Sequence, residues 1–306
     1  LFVNSPNALE GNDASKCDTA SAKFQSEEVG NVDVVAEEAE LITKIRDLVS
    51  LLPANNEDDL SYMDCEDDLN RVCADLEASV ADPAITLPMI SDSGIFFETK
   101  AEYGKDMVTG FIKLNGTTVG AVANRSTLYD EEGNAVEEFN AEISARGCEK
   151  AAKFVEFCDA FNIPVLTLTN AAGFKATKCS EKKMAAAAAA LTYAFAEATV
   201  PKVNVVVGKA YGSAYVTMNS KGLGADVVYA WPNAKIGMMG AKLAVKVMYP
   251  EADAKELREK EAAYAELQNS VASAAKRGYV DSVIEAQDTR KYVIGAFEML
   301  YTKRED

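Results

Sequence analysis

The sequence predicts an α/β protein built on a mostly parallel sheet. Short buried apolar runs, PVLTLTN (164–170), KVNVVVG (202–208) and DVVYAWP (226–232), alternate with stretches of helical periodicity. Right-handed crossovers onto a parallel sheet impose that order. The 306 residues are 48% hydrophobic and 26% charged, a size and balance that can bury one large or two modest cores. No window approaches 18 uncharged apolar residues, and the blandest run, MAAAAAAL (184–191), is too short to span a bilayer.

Each element has its own signal. Residues 1–36 read as loop, with a turn around Gly30. Residues 36–52 carry apolar positions at helical spacing and stop at Pro53. The acidic run ANNEDDLSYMDCEDD (54–68) predicts a solvated surface linker and a candidate boundary, not a metal site. A helix over 67–79 and a loop through Pro83 and Pro88 follow. GFIKLNGTTVGAVAN (110–124) predicts a hairpin turning at Asn115-Gly116. Residues 144–161 read as an amphipathic helix, with Cys148 and Cys158 as small hydrophobes. An Ala-rich helix spans 181–199, and a short helix after the strand at 202–208 runs to about 221. AKIGMMG (234–240) adds a strand, and 251–277 and 285–302 read as helices.

Composition then restricts the chemistry. The net charge of −17 argues against nucleic acid or an anionic membrane surface as partner. Cys17, Cys65, Cys73, Cys148, Cys158 and Cys179 show no CxxC spacing, which points to reduced thiols in a cytoplasmic protein. There are 0 histidines, which removes Ser-His and Cys-His nucleophiles, histidine metal sites and the imidazole base together. Carboxylates, lysines, tyrosines, a cofactor or oriented backbone amides remain.

Two strand-to-helix loops, AAGF (171–174) and AYGSA (210–214), are expected on the same edge of the parallel sheet, where α/β proteins place ligands. The amides of Gly212-Ser213-Ala214 open a helix and lack intrahelical acceptors, so they can face an oxyanion. The same residues fit a tight turn with a serine cap equally well. No GxGxxG or GxxxxGKS pattern calls for a nucleotide phosphate. In GMMGAKLA (237–244), close packing of strand against helix explains the glycines better than a ligand loop does. Lys175, Glu197, Lys209 and Asp226 lie near these loops and read as surface charges or ion-pair partners.

Three segments together resemble a known family: GFIKLNGTTVGAVAN, AAKFVEFCDAFNIPVLTLTNAAGF and YAFAEATVPKVNVVVGKAYGSAYVTMNSKGLGADVVYAWPNAKIGMMGAK. They are similar to the C-terminal half of biotin-dependent carboxyltransferases, such as acyl-CoA carboxylase β-subunits and biotin-dependent decarboxylase α-subunits. The similarity runs from roughly residue 27 to 300. It implies an α/β crotonase-like (ClpP/crotonase) ββα spiral. It implies residues 1–35 as the tail of a mostly missing N-terminal domain, and 36–306 as the C-terminal carboxyltransferase domain. By the same resemblance, the Ser213 and Ala214 amides polarise the ureido carbonyl of biotin. Gly212, Gly173, Phe174 and Tyr211 line its slot, and Val216 sits where acyl-CoA choice is made. The implied cofactor is carboxybiotin on a carrier protein, and no metal is expected. The implied partners are an acyl-CoA, the biotin carboxyl carrier protein, an N-terminal carboxyltransferase half and further copies in a dimer or higher oligomer. A membrane enters only through a decarboxylase complex.

Three departures from the family accompany this. Ser213 stands where Gly is common and puts a side chain at the approach. Asn170-Ala171-Ala172-Gly173-Phe174 replaces Asp-Thr-Pro-Gly-Phe, and Val216 points away from the Asp-type propionyl preference. The leading expectation is carboxyl transfer between carboxybiotin and an acyl-CoA, with this chain inactive when alone. The alternatives are a crotonase-type acyl-CoA hydratase or isomerase, for which no glutamate appears in the expected loops, and a non-catalytic biotin-binding or dimerisation fragment.

Overall fold

The computed structural model describes residues 8–11, 13, 15, 18–57 and 62–303. Cys17 and most of the opening LFVNSPNALEGN lie outside them. A π-helical turn, Phe24–Val29, leads to α1 (Glu38–Leu51). Residues 54–68, expected as a solvated linker, are in part tied to the body. Met63 N–H donates to Gly116 O, and Asp67 pairs with Arg71 at 2.9 Å and accepts from Ser93 N–H. Residues 67–75 are not helical, because Asp75 turns at φ 58° and only α2 (Leu76–Ser79) follows. The expected proline loop is instead a helix, α3 (Pro83–Ile90). Pro83 occupies its first turn, where a missing N–H costs nothing, and the Asp82 carboxylate caps Ala84 N–H. Pro88 removes one bond near its end, which burial of Leu87 and Ile90 offsets.

β1 (Phe96–Thr99), β2 (Met107–Leu114) and β3 (Thr117–Asn124) run antiparallel. Asn115 and Gly116 both take positive φ, as the two-residue hairpin requires. A small ribbon of β4 (Thr127–Tyr129) and β5 (Ala135–Glu138), then β6 (Glu142–Ile143), leads to α4 (Ala145–Ala160), capped by Ser144. β7 (Val165–Ala171) pairs parallel to β3, and β8 (Gly173–Phe174) pairs parallel to β6. α5 (Met184–Glu197) precedes β9 (Lys202–Tyr211), which passes directly into α6 (Gly212–Thr217). β10 (Val227–Ala230) pairs with the first part of β9, and β11 (Lys235–Gly237) with its last three residues. α7 (Ala241–Met248) follows. The helix expected over 251–277 divides into α8 (Ala254–Tyr264), a π-helical turn and α9 (Val271–Lys276), because Ser270 is extended and caps a new start. β12 (Ser282–Val283) and α10 (Thr289–Leu300) complete the chain.

The main sheet has the order β1-β2-β3-β7-β9-β10-β12. Alternation divides its side chains between its two faces, and a third cluster gathers Val206, Val228, Ala230 and Ile236 with Val271 of α9. Leu166, Leu168, Val203, Val205 and Val207 pack with Leu87, Ile90 and Val293 on one side. Val122 and Val165 pack with α4 and α5 on the other. Arg290 on α10 is fully buried; it pairs with Asp92 at 2.7 Å and Asp67 at 3.5 Å and donates to Ile90 O. Asp92 in turn accepts from the hairpin amides of Asn115 and Gly116, so one guanidinium joins the acidic segment, α3 and the hairpin.

Candidate functional site

β9 is longer than its apolar run because β11 takes over as its neighbour where β10 ends. The stretch Lys209–Tyr211, expected as loop, is therefore strand. At Gly212 the backbone turns at φ 57°, and a Cβ there would meet Met238 O at 3.0 Å, so glycine is required on two counts. The turn delivers Ser213 and Ala214 to the start of α6. Neither N–H makes a hydrogen bond among the described residues. Ala214 is buried and Ser213 exposed. α6 has only six residues, so its dipole is small and the two unpaired donors are its chemical asset.

A cleft of about 1030 Å³ adjoins this turn through Tyr211 and is lined also by Ala172, Lys209 and Gly240; Gly212, Ser213, Ala214, Gly173, Phe174 and Val216 are not part of its lining. That volume is at the upper end of small-molecule sites. The half-buried Tyr211 ring lies under Gly240, where a Cβ would stand 3.5 Å from it, and burial pushes its hydroxyl pKa up. Val216 is 44% exposed, one turn beyond Ser213 on α6. Gly173 and Phe174 are half-buried on β8, in register with Glu142 and Ile143. β8 packs against α6, which brings the two expected loops together. Ala171 pairs with Ala210 across a register shift, so both loops lie at the same sheet edge.

The other charged residues near the loops separate. Asp226 is structural, accepting from Lys202 N–H at 2.7 Å and from Lys303 Nζ. Lys175 lines a different cleft with Tyr103 and Arg146, whereas Lys209 lines the main one. Sequence reading missed Gly208 and the role of the Asn170 side chain. Asn170 Oδ1 accepts Lys209 N–H at 3.0 Å, in space that a Cβ on Gly208 would fill. A glycine inside an otherwise β-branched strand was the available signal. Asn269 was also missed; it is buried at the cleft wall, donates to Met239 O at 3.0 Å and leaves its Oδ1 without a partner. A Cβ on Gly237 would lie 2.4 Å from Asn269 Nδ2, which accounts for that glycine by close packing. Among the described residues no cluster of three His, Cys, Asp or Glu could hold a metal ion. Cys65, Cys73, Cys148, Cys158 and Cys179 are free thiols.

A family model described as the carboxyl transferase domain matches residues 4–306. The chain belongs to the carboxyl transferase family. It is 36% identical over 324 residues to the methylmalonyl-CoA carboxyltransferase 12S subunit of Propionibacterium freudenreichii subsp. shermanii, covering 100% of this chain and 60% of that one. It is 38% identical over 284 residues to the methylmalonyl-CoA decarboxylase subunit alpha of Propionigenium modestum, covering 86% and 52%. A solved transcarboxylase 12S structure superposes with a TM-score of 0.89 at 34% identity, covering 100% of this chain and 60% of that one. Its description gives a hexamer assembly with hydrolysed methylmalonyl-coenzyme A bound. This carboxyl transferase chain thus spans 52–60% of the length of these relatives. Its fold is the crotonase-like α/β spiral, with the main sheet and the small β6–β8 sheet stacked against helices.

Proposed function

We propose that this chain is the biotin-facing part, within residues 36–306, of a carboxyltransferase that moves a carboxyl group between carboxybiotin and an acyl-CoA. The observation that carries this reading is the pair of unpaired amides, Ser213 and Ala214, beside a cleft of ligand size. Carboxybiotin, when bound, supplies the carboxyl group. The two amides would direct their donors at its ureido carbonyl, where such donors stabilise developing negative charge. Gly212 leaves the approach open, and Tyr211 offers an apolar wall. Gly173 and Phe174 would flank the slot from β8. The Ser213 side chain, exposed at the approach, narrows the slot without removing the amide. No imidazole is needed for this chemistry, consistent with 0 histidines in the chain.

The names of these relatives favour a methylmalonyl-type acyl-CoA. Val216 points elsewhere, but its half-exposed side chain makes it a weak discriminator. We further infer a biotin carboxyl carrier protein and a CoA-binding half as partners, a homo-oligomeric assembly and a cytoplasmic setting. Among the described residues no helix is long and apolar enough to cross a membrane.

The test is biocytin binding by the chain and by Ala214→Pro, which removes one donor, with Ala214→Gly as the control that keeps it. Loss of one hydrogen bond of about 1.4 kcal/mol predicts roughly tenfold weaker binding for the proline variant only. Near-ultraviolet circular dichroism checks that the packing of the buried aromatic side chains, Tyr215 of α6 among them, is retained. Equal biocytin affinity in a folded Ala214→Pro variant refutes the amide assignment.

A further inference from the structure

The parallel ladder between β7 and β9 is interrupted just before the amide turn. Thr169 pairs with Val206 and Ala171 with Ala210, so Asn170 alone on β7 faces Val207, Gly208 and Lys209 on β9. The two additional residues amount to about 6.5 Å of extended strand, taken up as a bulge. Bulges are rare in parallel pairs, and beside active sites they re-aim the chain.

Side-chain amides replace the missing ladder. Main-chain pairing of β3 with β7 ends at Ala123 and Leu168. Beyond it the Asn124 side chain, 1% exposed, accepts Asn170 N–H at 2.7 Å through Oδ1 and donates to Asn170 O through Nδ2. Asn170 repeats the arrangement one strand further on, where its Oδ1 accepts Lys209 N–H at 3.0 Å. The same oxygen fills the volume that the bulge opens, since a Cβ on Gly208 would stand 2.5 Å from it. Lys209, Ala210 and Tyr211 then pair with Lys235, Ile236 and Gly237 of β11, and the turn at Gly212 follows at once.

We propose that Asn170 is a positioning residue for carboxyl transfer: its side-chain carbonyl fixes the bulge, and the bulge fixes where the Ser213 and Ala214 amides stand. Asn124 anchors Asn170 in turn. The inference rests on the reading of those amides as the biotin site. Groups that act on a reacting atom must be held to about 0.5 Å, whereas a bulge that slips by one residue moves the turn by about 3.3 Å.

Asn170→Ala removes the acceptor, Asn170→Ser shortens it out of reach of Lys209 N–H, and Asn170→Asp keeps it. Val119→Ala, buried towards the far end of β3 from Asn124, is the control for lost stability alone. Biocytin affinity and amide hydrogen exchange over residues 208–214 are measured on each folded chain. The alanine and serine variants are expected to bind biocytin about tenfold more weakly and to exchange the Lys209 amide about tenfold faster. Asn170→Asp and Val119→Ala are expected to stay within about twofold of wild type in both readouts. A folded Asn170→Ala or Asn170→Ser variant with wild-type affinity for biocytin overturns the proposal. So does a Val119→Ala variant that loses biocytin equally, which reduces the effect to stability. Failure of Asn170→Asp to restore binding also overturns it, because the acceptor is then not what matters. If the wild-type chain does not bind biocytin, the amide reading falls, whereas exchange accelerated only over 208–214 in Asn170→Ala still shows that Asn170 holds the turn.

Discussion

Gly208→Ala tests how the strand that ends in the amide turn is held. The new Cβ would stand 2.5 Å from Asn170 Oδ1 and 2.8 Å from its Cγ, with no backbone atom among its three nearest neighbours. The backbone at Gly208 is not in the left-handed region, so alanine is otherwise compatible. Asn170 has little freedom to move away. Its Oδ1 holds Lys209 N–H at 3.0 Å, and its backbone exchanges hydrogen bonds with the buried Asn124 amide. Breaking the Lys209 bond costs about 1–2 kcal/mol, and an off-rotamer Asn170 about 1 more. Alanine's entropic advantage in a strand returns about 0.5 kcal/mol, leaving a net loss of about 2 kcal/mol. In an Asn170→Ala background the obstructing atoms are gone, and Gly208→Ala is expected to be neutral or slightly stabilising. Urea denaturation of the four proteins of this cycle should therefore give a coupling of about 2 kcal/mol. Additivity within about 0.5 kcal/mol refutes the clamp.

Arg290→Met should destabilise by about 3–5 kcal/mol, because it leaves Asp92 and Asp67 without their buried guanidinium. A loss below about 1 kcal/mol by urea denaturation contradicts the role given to that knot. Lys150 is almost wholly buried on α4 and donates to Met107 O at 2.8 Å; burial pushes its pKa down to about 8, against the attraction of Glu98. A depressed lysine pKa is a cost to folding that is fully present below pH 8 and relieved as pH rises from about 8 to 10.5. The relief amounts to up to about 3 kcal/mol. Cys148, held up at about 12 by burial, acts in the opposite sense above pH 9, so the observable is the difference between wild type and Lys150→Met. That difference should change across pH 8–10.5, and a flat difference shows that Lys150 is not desolvated in the fold.

The legible parts of the fold were those with local causes. Asn115-Gly116 specified a hairpin because both positions must take positive φ, and Ser144 marked the start of α4 because its oxygen satisfies an orphan amide. The alternating valines of β9 and the absence of histidine were equally direct. Pro83 was misread because the same residue that breaks a helix interior also suits a first turn, and the Asp82 cap that decides between them is further held by Arg125, 43 positions away.

The sequence by itself determined the α/β class, the hairpin, the family and the few chemistries open to a chain without imidazole. The class, the hairpin and the restricted chemistry follow from residue type and short-range spacing, and the family from the resemblance of three segments to known carboxyltransferases. Tertiary structure alone decided that β9 extends to Tyr211, since its last ladder partners come from β11, more than twenty residues later. It also decided that Asn170 occupies the space Gly208 leaves open, and that lysines from β9, β11 and α7 converge on one cleft. Each of these depends on atoms distant in sequence sharing one small volume.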